Sequence, residues 1–296
     1  GAGKTTLVNH LLRHARGNRL ALIINDFGAI NIDAELISEQ TDDQISLTNG
    51  CICCGMSAGF DEAIESLLKR DPLPDRIIVE ASGVADVTAL AQYGHHPGLR
   101  LDSIIVLADA ETVRAKARDK YVDKTVLRQL RGADLIVLNK TDLVTAEAVD
   151  DLRRWLEQIS PGVPVVSSRY GQIPIDAFFG AGHINTAENE AAHQPGDHQA
   201  GDHEHYITWH FEREAPLTRA QVETFIAALP ATVLRGKGFF SVGSEAGGRC
   251  LLYQQVGRRW TLTPHPEGDT TRFVLIGLAA ELDLETLDTA AACHLG

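Results

Sequence analysis

The first part of the chain contains a series of short apolar segments at regular intervals. They have strand length and are apolar at consecutive positions, as in parallel strands buried on both faces. Stretches with helical periodicity separate them. The strands are predicted at Leu20–Ile24, Arg76–Val79, Ile104–Ala108, Asp134–Leu138 and Val163–Val166, and the helices at Ala58–Lys69, Glu111–Leu130 and Thr145–Ile159. This alternation predicts an α/β domain with a doubly wound, mostly parallel sheet.

The pattern changes near Phe179, and a polar stretch rich in His, Asp, Glu and Gln follows. This stretch has too little apolar surface to order itself and is predicted to be a linker. Beyond it, one helix (Thr218–Ala228), a second beginning near Leu284, and several strands indicate a smaller α+β domain. These strands are predicted at Tyr206–Phe211, Thr232–Val242, Cys250–Val256, Trp260–Thr263 and Arg272–Ile276. The predicted divisions are residues 1–182, 183–205 and 206–296.

Composition restricts the partners and the compartment. The chain is 44% hydrophobic and 23% charged, as in an ordinary globular protein, and its formal net charge is −13. That acidity argues against binding to nucleic acid or to an anionic membrane. No apolar run is long enough to span a bilayer, and no signal peptide is recognisable. Five cysteines, three of them closely spaced, indicate thiol chemistry in a reducing compartment, so we expect a cytoplasmic protein.

The chain opens with the letters GAGKTT, which match the last part of the phosphate-binding pattern G-x-x-x-x-G-K-[ST]. We expect the first glycine of that pattern to lie upstream, so that the chain begins inside the motif. Lys4 would neutralise the β- and γ-phosphates, and Thr5 would bind Mg²⁺. Backbone amides, with Gly1, Gly3 and Thr6 among the contacts, would cradle the phosphate oxygens. The alternative is a chance glycine-rich helix start.

A second motif, N-K-x-D, follows the predicted strand Asp134–Leu138. In many GTPases this motif selects guanine, whose N1 and N2 hydrogens are both accepted by the carboxylate. Asn139, Lys140 and Asp142 are therefore predicted to contact the base, and Ser167 after the next strand is predicted to add a contact. The alternative is a polar loop without a ligand.

Glu80 ends another predicted strand, where the ligand crevice of an open α/β sheet lies. It is a candidate for the water shell of Mg²⁺, and the amide of Gly83 is a candidate for the γ-phosphate. The alternative is that Ser82 caps a helix here. Asp109 has a similar position but is not counted as a ligand.

Three cysteines within four residues, Cys51, Cys53 and Cys54, suit a soft or borderline cation such as Zn²⁺ or Co²⁺. Such an incomplete ligand set favours metal exchange over permanent binding. The alternatives are a redox dithiol or small buried residues. The polar stretch holds five histidines that could capture metal, or it is only a solvated linker; they are His183, His193, His198, His203 and His205.

Together these motifs resemble the CobW family of P-loop GTPase metallochaperones, along nearly the whole chain. The motifs stand in the family's order, ending with a histidine-rich stretch and a distinct C-terminal domain. The family's acidic residue in N-E-[FY]-G is Asp26 here, one methylene shorter, and the resemblance makes it a candidate metal ligand. In family order the segments are Gly1–Thr6, Asn25–Gly28, Gly50–Cys54, Glu80–Gly83, Asn139–Asp142 and His183–His205.

The resemblance implies a GTPase with Lys4 and Glu80 in its catalytic machinery, using Mg²⁺ and carrying Zn²⁺ or Co²⁺. GTP would order the cysteine site, and hydrolysis would release the metal to a client metalloenzyme or chelatase. A nucleotide-dependent homodimer is also expected from the resemblance. Two alternatives stay open: a cobalt-supply factor in cobalamin synthesis, and a metal store or sensor with incidental nucleotide binding.

Overall fold

The computed structural model describes residues 1–14, 19–25, 44–47, 57–83, 85–173, 206–243, 249–266 and 269–296. The chain divides into two compact units, Gly1–Ile173 and Pro174–Gly296. The predicted linker 183–205 lies outside the described residues, so the boundaries drawn from sequence stay predictions. Within the described residues, no helix is long and apolar enough to cross a membrane.

In the described residues of the first unit, the strands form two parallel groups of three. The strands are β1 (Leu20–Asn25), β2 (Gln44–Leu47), β3 (Arg76–Ala81), β4 (Ile105–Asp109), β5 (Leu135–Asn139) and β6 (Val165–Ser168). Their orders are β2-β1-β3 and β4-β5-β6, with every pairing parallel. The predicted α/β class with a mostly parallel sheet is confirmed, and β2 is a strand that the sequence did not predict.

One helix precedes β1, and the other helices of this unit lie between the strands that follow. They are α1 (Lys4–Arg13), α2 (Ser57–Leu68), α3 (Val87–Ala91), α4 (Val113–Lys116), α5 (Asp123–Gly132) and α6 (Ala146–Ile159). The prediction of one continuous helix over Glu111–Leu130 is wrong, because α4 and α5 are separate. The carboxylate of Asp119 accepts the amide of Tyr121 at 2.8 Å. Such a local side-chain bond competes with the helical ladder and interrupts it.

Strand β1 is covered on both faces, which is the arrangement expected of a doubly wound sheet. Ala21 and Ile23 pack with residues of α2 in one buried cluster. Leu22 and Ile24 pack with Val8 of α1 in another. Because successive side chains of a strand point to opposite faces, α1 and α2 lie on opposite sides of β1.

The described residues of the second unit form an antiparallel sheet with two helices. Its elements are β7 (Tyr206–Arg213), α7 (Arg219–Ala228), β8 (Val233–Val242), β9 (Arg249–Val256), β10 (Arg259–His265), β11 (Thr271–Leu278) and α8 (Leu284–His294). The strand order is β10-β9-β8-β11-β7. Phe225 of α7 and Leu287 of α8 join one buried cluster with Phe240 and Phe273 of the sheet. The α+β prediction for this unit is therefore confirmed.

Gly238 of β8 pairs with Phe273 of β11, and the space for a side chain at position 238 is filled by β11. A Cβ added there would lie 2.2 Å from the carbonyl oxygen of Arg272 and 2.3 Å from Cα of Phe273. We expect Gly238→Ala to lower the free energy of unfolding by about 2 kcal/mol or more, because backbone would have to move. Urea unfolding followed by far-UV circular dichroism measures the change.

The control is Gly59→Ala in α2, where an added Cβ meets nothing within 4 Å. That variant should be neutral or gain up to about 1 kcal/mol, since alanine favours helix more than glycine does. Equal stability of the two variants would contradict the close approach of β8 and β11.

Candidate functional site

The opening segment of the chain forms a tight turn into α1. Gly3 precedes the helix with φ of 99°, in the left-handed region. A Cβ there would lie 2.4 Å from Nδ2 of Asn139, so only glycine fits. The start of α1 is the positive end of the helix dipole, where backbone amides can bind an anion. The same segment contains the other residues predicted to contact phosphate, Gly1, Lys4, Thr5 and Thr6.

Asn139, at the end of β5, joins this segment to a loop after β6. Its Nδ2 donates to the carbonyl oxygen of Ala2 at 2.9 Å, and its Oδ1 accepts the amide of Gly171 at 2.9 Å. The side chain is only 2% exposed. The structure therefore gives Asn139 a positioning role, in which it fixes the loops around the predicted nucleotide.

Lys140 follows with a left-handed backbone, φ 63°, and its Nζ donates to Oδ2 of Asp109 at 2.7 Å. The hydrogen bond from Lys140 to Asp109, with the nearby negative charges of Asp109, Glu111 and Asp142, raises the pKa of Lys140. Burial alone would raise the pKa of Asp109. The hydrogen bond and charge of Lys140, with the amides of Glu111 and Thr112, outweigh burial and hold that pKa below its usual range.

The rest of the N-K-x-D motif forms a short 3₁₀ turn, Thr141–Leu143. Thr141 donates its hydroxyl to the carbonyl oxygen of Ser168 at 3.1 Å, which ties this turn to the end of β6. Asp142 is exposed, in keeping with a carboxylate that receives a ligand. The predicted contact Ser167 lies on β6, and its hydroxyl accepts Arg153 of α6 at 2.8 Å.

The loop after β6 packs along α1. Tyr170 and Gly171 both have left-handed backbones, with φ of 56° and 65°. A Cβ at Gly171 would lie 2.9 Å from the amide nitrogen of Leu7. Nε2 of His10 donates to the carbonyl oxygen of Ile173 at 2.7 Å. The loop is thus held against the helix that carries the predicted phosphate ligands.

Thr5 and Glu80 come together, as the sequence predicts for a magnesium site. Oγ1 of Thr5 donates to Oε1 of Glu80 at 3.3 Å, and Glu80 is 6% exposed. A hydroxyl and a carboxylate are oxygen ligands of the kind that Mg²⁺ prefers. They lie beside the turn at position 3, where only glycine fits. The residues present therefore fit that ion.

The segment after Glu80 is held by α5. Nε2 of Gln129 donates to the carbonyl oxygens of Gly83, at 3.1 Å, and Ala85, at 3.0 Å. The alternative that Ser82 caps the next helix is wrong. Asp86 is the N-cap of α3, because its carboxylate lies adjacent to the first helical amides and accepts those of Thr88 and Ala89.

The predicted cargo-metal ligands Cys51, Cys53, Cys54 and Asp26 lie outside the described residues, as do the five histidines of the polar stretch. In the part of the chain that the structure describes, no group of three or more His, Cys, Asp or Glu could hold a metal ion. Burial raises the pKa of the Cys250 thiol, and Cys293 is exposed on α8.

Two residues of the site had no role in the sequence analysis, Asp109 as the partner of Lys140 and Gly171 as the partner of Asn139. A signal for Asp109 existed, since it ends a buried parallel strand as Asn139 does. Gly171 had no comparable signal, because its role depends on how the loop packs against α1.

Comparison with protein families gives two matches that together cover most of the chain. The family described as "CobW/HypB/UreG, nucleotide-binding domain" matches residues 1–167. The family described as "Cobalamin synthesis protein cobW C-terminal domain" matches residues 206–292. The second match begins at the first residue of β7.

Several characterised proteins are similar. "Zinc chaperone CobW" of a Sinorhizobium species is 32% identical over 94% of this chain and 90% of its own length. "Zinc chaperone YjiA" of Escherichia coli is 31% identical over 94% and 91%. "Zinc-regulated GTPase metalloprotein activator 1" of Schizosaccharomyces pombe is 27% identical over 64% and 49%. With both family matches in sequence order, the chain belongs to the CobW/HypB/UreG family and carries the CobW-type C-terminal domain.

Proposed function

We propose that this protein is a GTP-hydrolysing metallochaperone that binds Zn²⁺ or Co²⁺ and delivers it to a client protein. The observation that carries the proposal is the double hydrogen bond of Asn139, which joins the phosphate segment to the loops around Asp142. A junction of this kind suits one ligand that has both a phosphate chain and a base. The names of the zinc-chaperone relatives support metal as the cargo.

The nucleotide would bind across the ends of α1, β5 and β6. Lys4 and the backbone amides at the start of α1 would receive the phosphates, since a lysine side chain and the positive end of a helix both favour anions. Asp142 would accept the N1 and N2 hydrogens of guanine, which adenine cannot offer. Ser167 would add a contact to the base from the neighbouring strand.

Hydrolysis would depend on positioning and on charge, as in other phosphoryl transfers. Thr5 and Glu80 would hold Mg²⁺, which when bound neutralises charge on the β- and γ-phosphates. Lys4 would neutralise the same oxygens from the protein side. The amide of Gly83 would reach the γ-phosphate, so its segment would respond to the difference between GTP and GDP.

The cargo metal would bind to the thiolates of Cys51, Cys53 and Cys54, with Asp26 as a further candidate ligand. Thiolates favour zinc and cobalt over harder cations, and an incomplete ligand set permits transfer to a client. For the nucleotide to control transfer, GTP must raise metal affinity. By linkage, metal must then raise GTP affinity by the same factor.

Replacement of Asp142 by asparagine tests guanine selection. An asparagine side chain at this position cannot accept both guanine hydrogens as a carboxylate does, so we expect GTP affinity to fall about 10- to 150-fold, the range for a lost charged hydrogen bond. ATP affinity should change little. Displacement of fluorescent GDP by GTP and by ATP measures both.

The control for this measurement is Asp150→Asn, which removes an exposed carboxylate from α6. It should keep the preference of the wild-type protein for guanine. If Asp142→Asn keeps that preference too, the base is selected elsewhere and the proposed nucleotide site is wrong.

Zinc affinity, measured against a competing chelator with GDP or with a non-hydrolysable GTP analogue, tests the coupling. We expect the analogue to raise the affinity about tenfold or more, within the usual range of allosteric coupling. Cys53→Ala should abolish that rise. Cys293→Ala, which removes the exposed thiol on α8, should preserve it. Equal affinity with both nucleotides would indicate a metal store or redox centre instead.

A further inference from the structure

The carboxylate of Asp109 is a buried charge with both oxygens engaged. It is 6% exposed and lies at the last position of β4. Oδ2 accepts Nζ of Lys140 at 2.7 Å, and Oδ1 accepts the amide of Glu111 at 3.0 Å. A buried charge destabilises the fold unless it is paired, so the ammonium group of Lys140 is held beside this carboxylate. The ion pair thereby fixes the tip of the Lys140 side chain.

Lys140 is also fixed at its backbone. Its left-handed conformation, φ 63°, costs about 1 kcal/mol or more for a residue with a Cβ and persists only where neighbouring contacts hold it. Asn139, directly before it, is anchored by its two hydrogen bonds. The aliphatic stem of Lys140 therefore extends between two fixed ends.

The same backbone carries the residue that would select the base. The amide of Leu143 donates to the carbonyl oxygen of Lys140 at 3.1 Å and closes the turn that contains Asp142. Lys140 is the residue from which this turn begins. Its conformation therefore determines where the carboxylate of Asp142 is presented.

We propose that Asp109 is a positioning residue for guanine recognition and acts through Lys140. It holds the stem of Lys140 as an apolar wall beside the base and fixes the turn that carries Asp142. It does so without contacting the nucleotide. This inference rests on the proposed function, because it concerns the same guanine site.

A purely structural role for Asp109 can be separated from this one, because the chain offers a matched control. Asp134 is also a buried carboxylate between β4 and β5, 3% exposed, but at the opposite end of these strands. It accepts the amide of Ile104 at 2.8 Å. Asp134→Asn should lower stability without changing guanine preference.

The experiment measures displacement of fluorescent GDP by GTP and by ATP, with urea unfolding of each variant. We expect Asp109→Asn to lower the GTP-over-ATP preference about tenfold, as for the loss of a charge-assisted contact. Lys140→Met, which changes the half-exposed partner, should lower it to a similar extent. The Lys140→Met variant keeps the test valid if Asp109→Asn fails to fold.

In the Lys140→Met background, Asp109→Asn should cause no further loss of preference, because residues that act as one unit are not additive. An unchanged preference in Asp109→Asn, a loss matched by Asp134→Asn, or a full further loss in the double variant would each overturn the inference. If any of these outcomes occurs while Asp142→Asn still loses its preference for guanine, only the inference about Asp109 fails and the proposed function stands. If Asp142→Asn keeps the preference for guanine, both the inference and the proposed function fail.

Discussion

The side-chain amide of Asn139 makes two hydrogen bonds that join three parts of the first unit. Its nitrogen donates to Ala2 and its oxygen accepts Gly171, so the start of α1, the end of β5 and the loop after β6 share one buried group. Loops carry most binding residues, but loops alone are mobile. Here the geometry of the loops is fixed by a side chain on β5, the central strand of the β4-β5-β6 group. Every residue of β5 is buried.

Charge at the site is distributed unevenly. The chain has a formal net charge of −13, yet the proposed ligand is itself strongly anionic. Asp109 already neutralises Lys140, so that lysine contributes little net charge toward phosphate. In the proposed site, neutralisation of the phosphates would therefore fall to Lys4, to the amides at the start of α1 and to Mg²⁺. The base end of the site would rely on shape and hydrogen bonding instead.

The sequence predicted the elements that pack by simple rules. Buried parallel strands are continuously apolar, so β1 and β3 to β6 were predicted to within two residues of their ends. Strand β2 was missed, because it has only four residues and two of them, Gln44 and Ser46, are polar. The break between α4 and α5 depends on one carboxylate bond of Asp119, which periodicity does not reveal. The motifs located Asn139 and Thr5 correctly at the strand and helix ends. The contacts of Gly171 with Asn139 and of Asp109 with Lys140 depend on how distant segments pack together, which no local sequence pattern encodes.

The contact between Gly3 and Asn139 has an evolutionary consequence. A side chain at position 3 would occupy the space of the Asn139 amide, and a shorter side chain at position 139 would leave Ala2 and Gly171 without their bond. A substitution at either position therefore disrupts the contacts of the other. We expect the two motifs, whose bonded residues Ala2 and Asn139 stand 137 positions apart, to change only together.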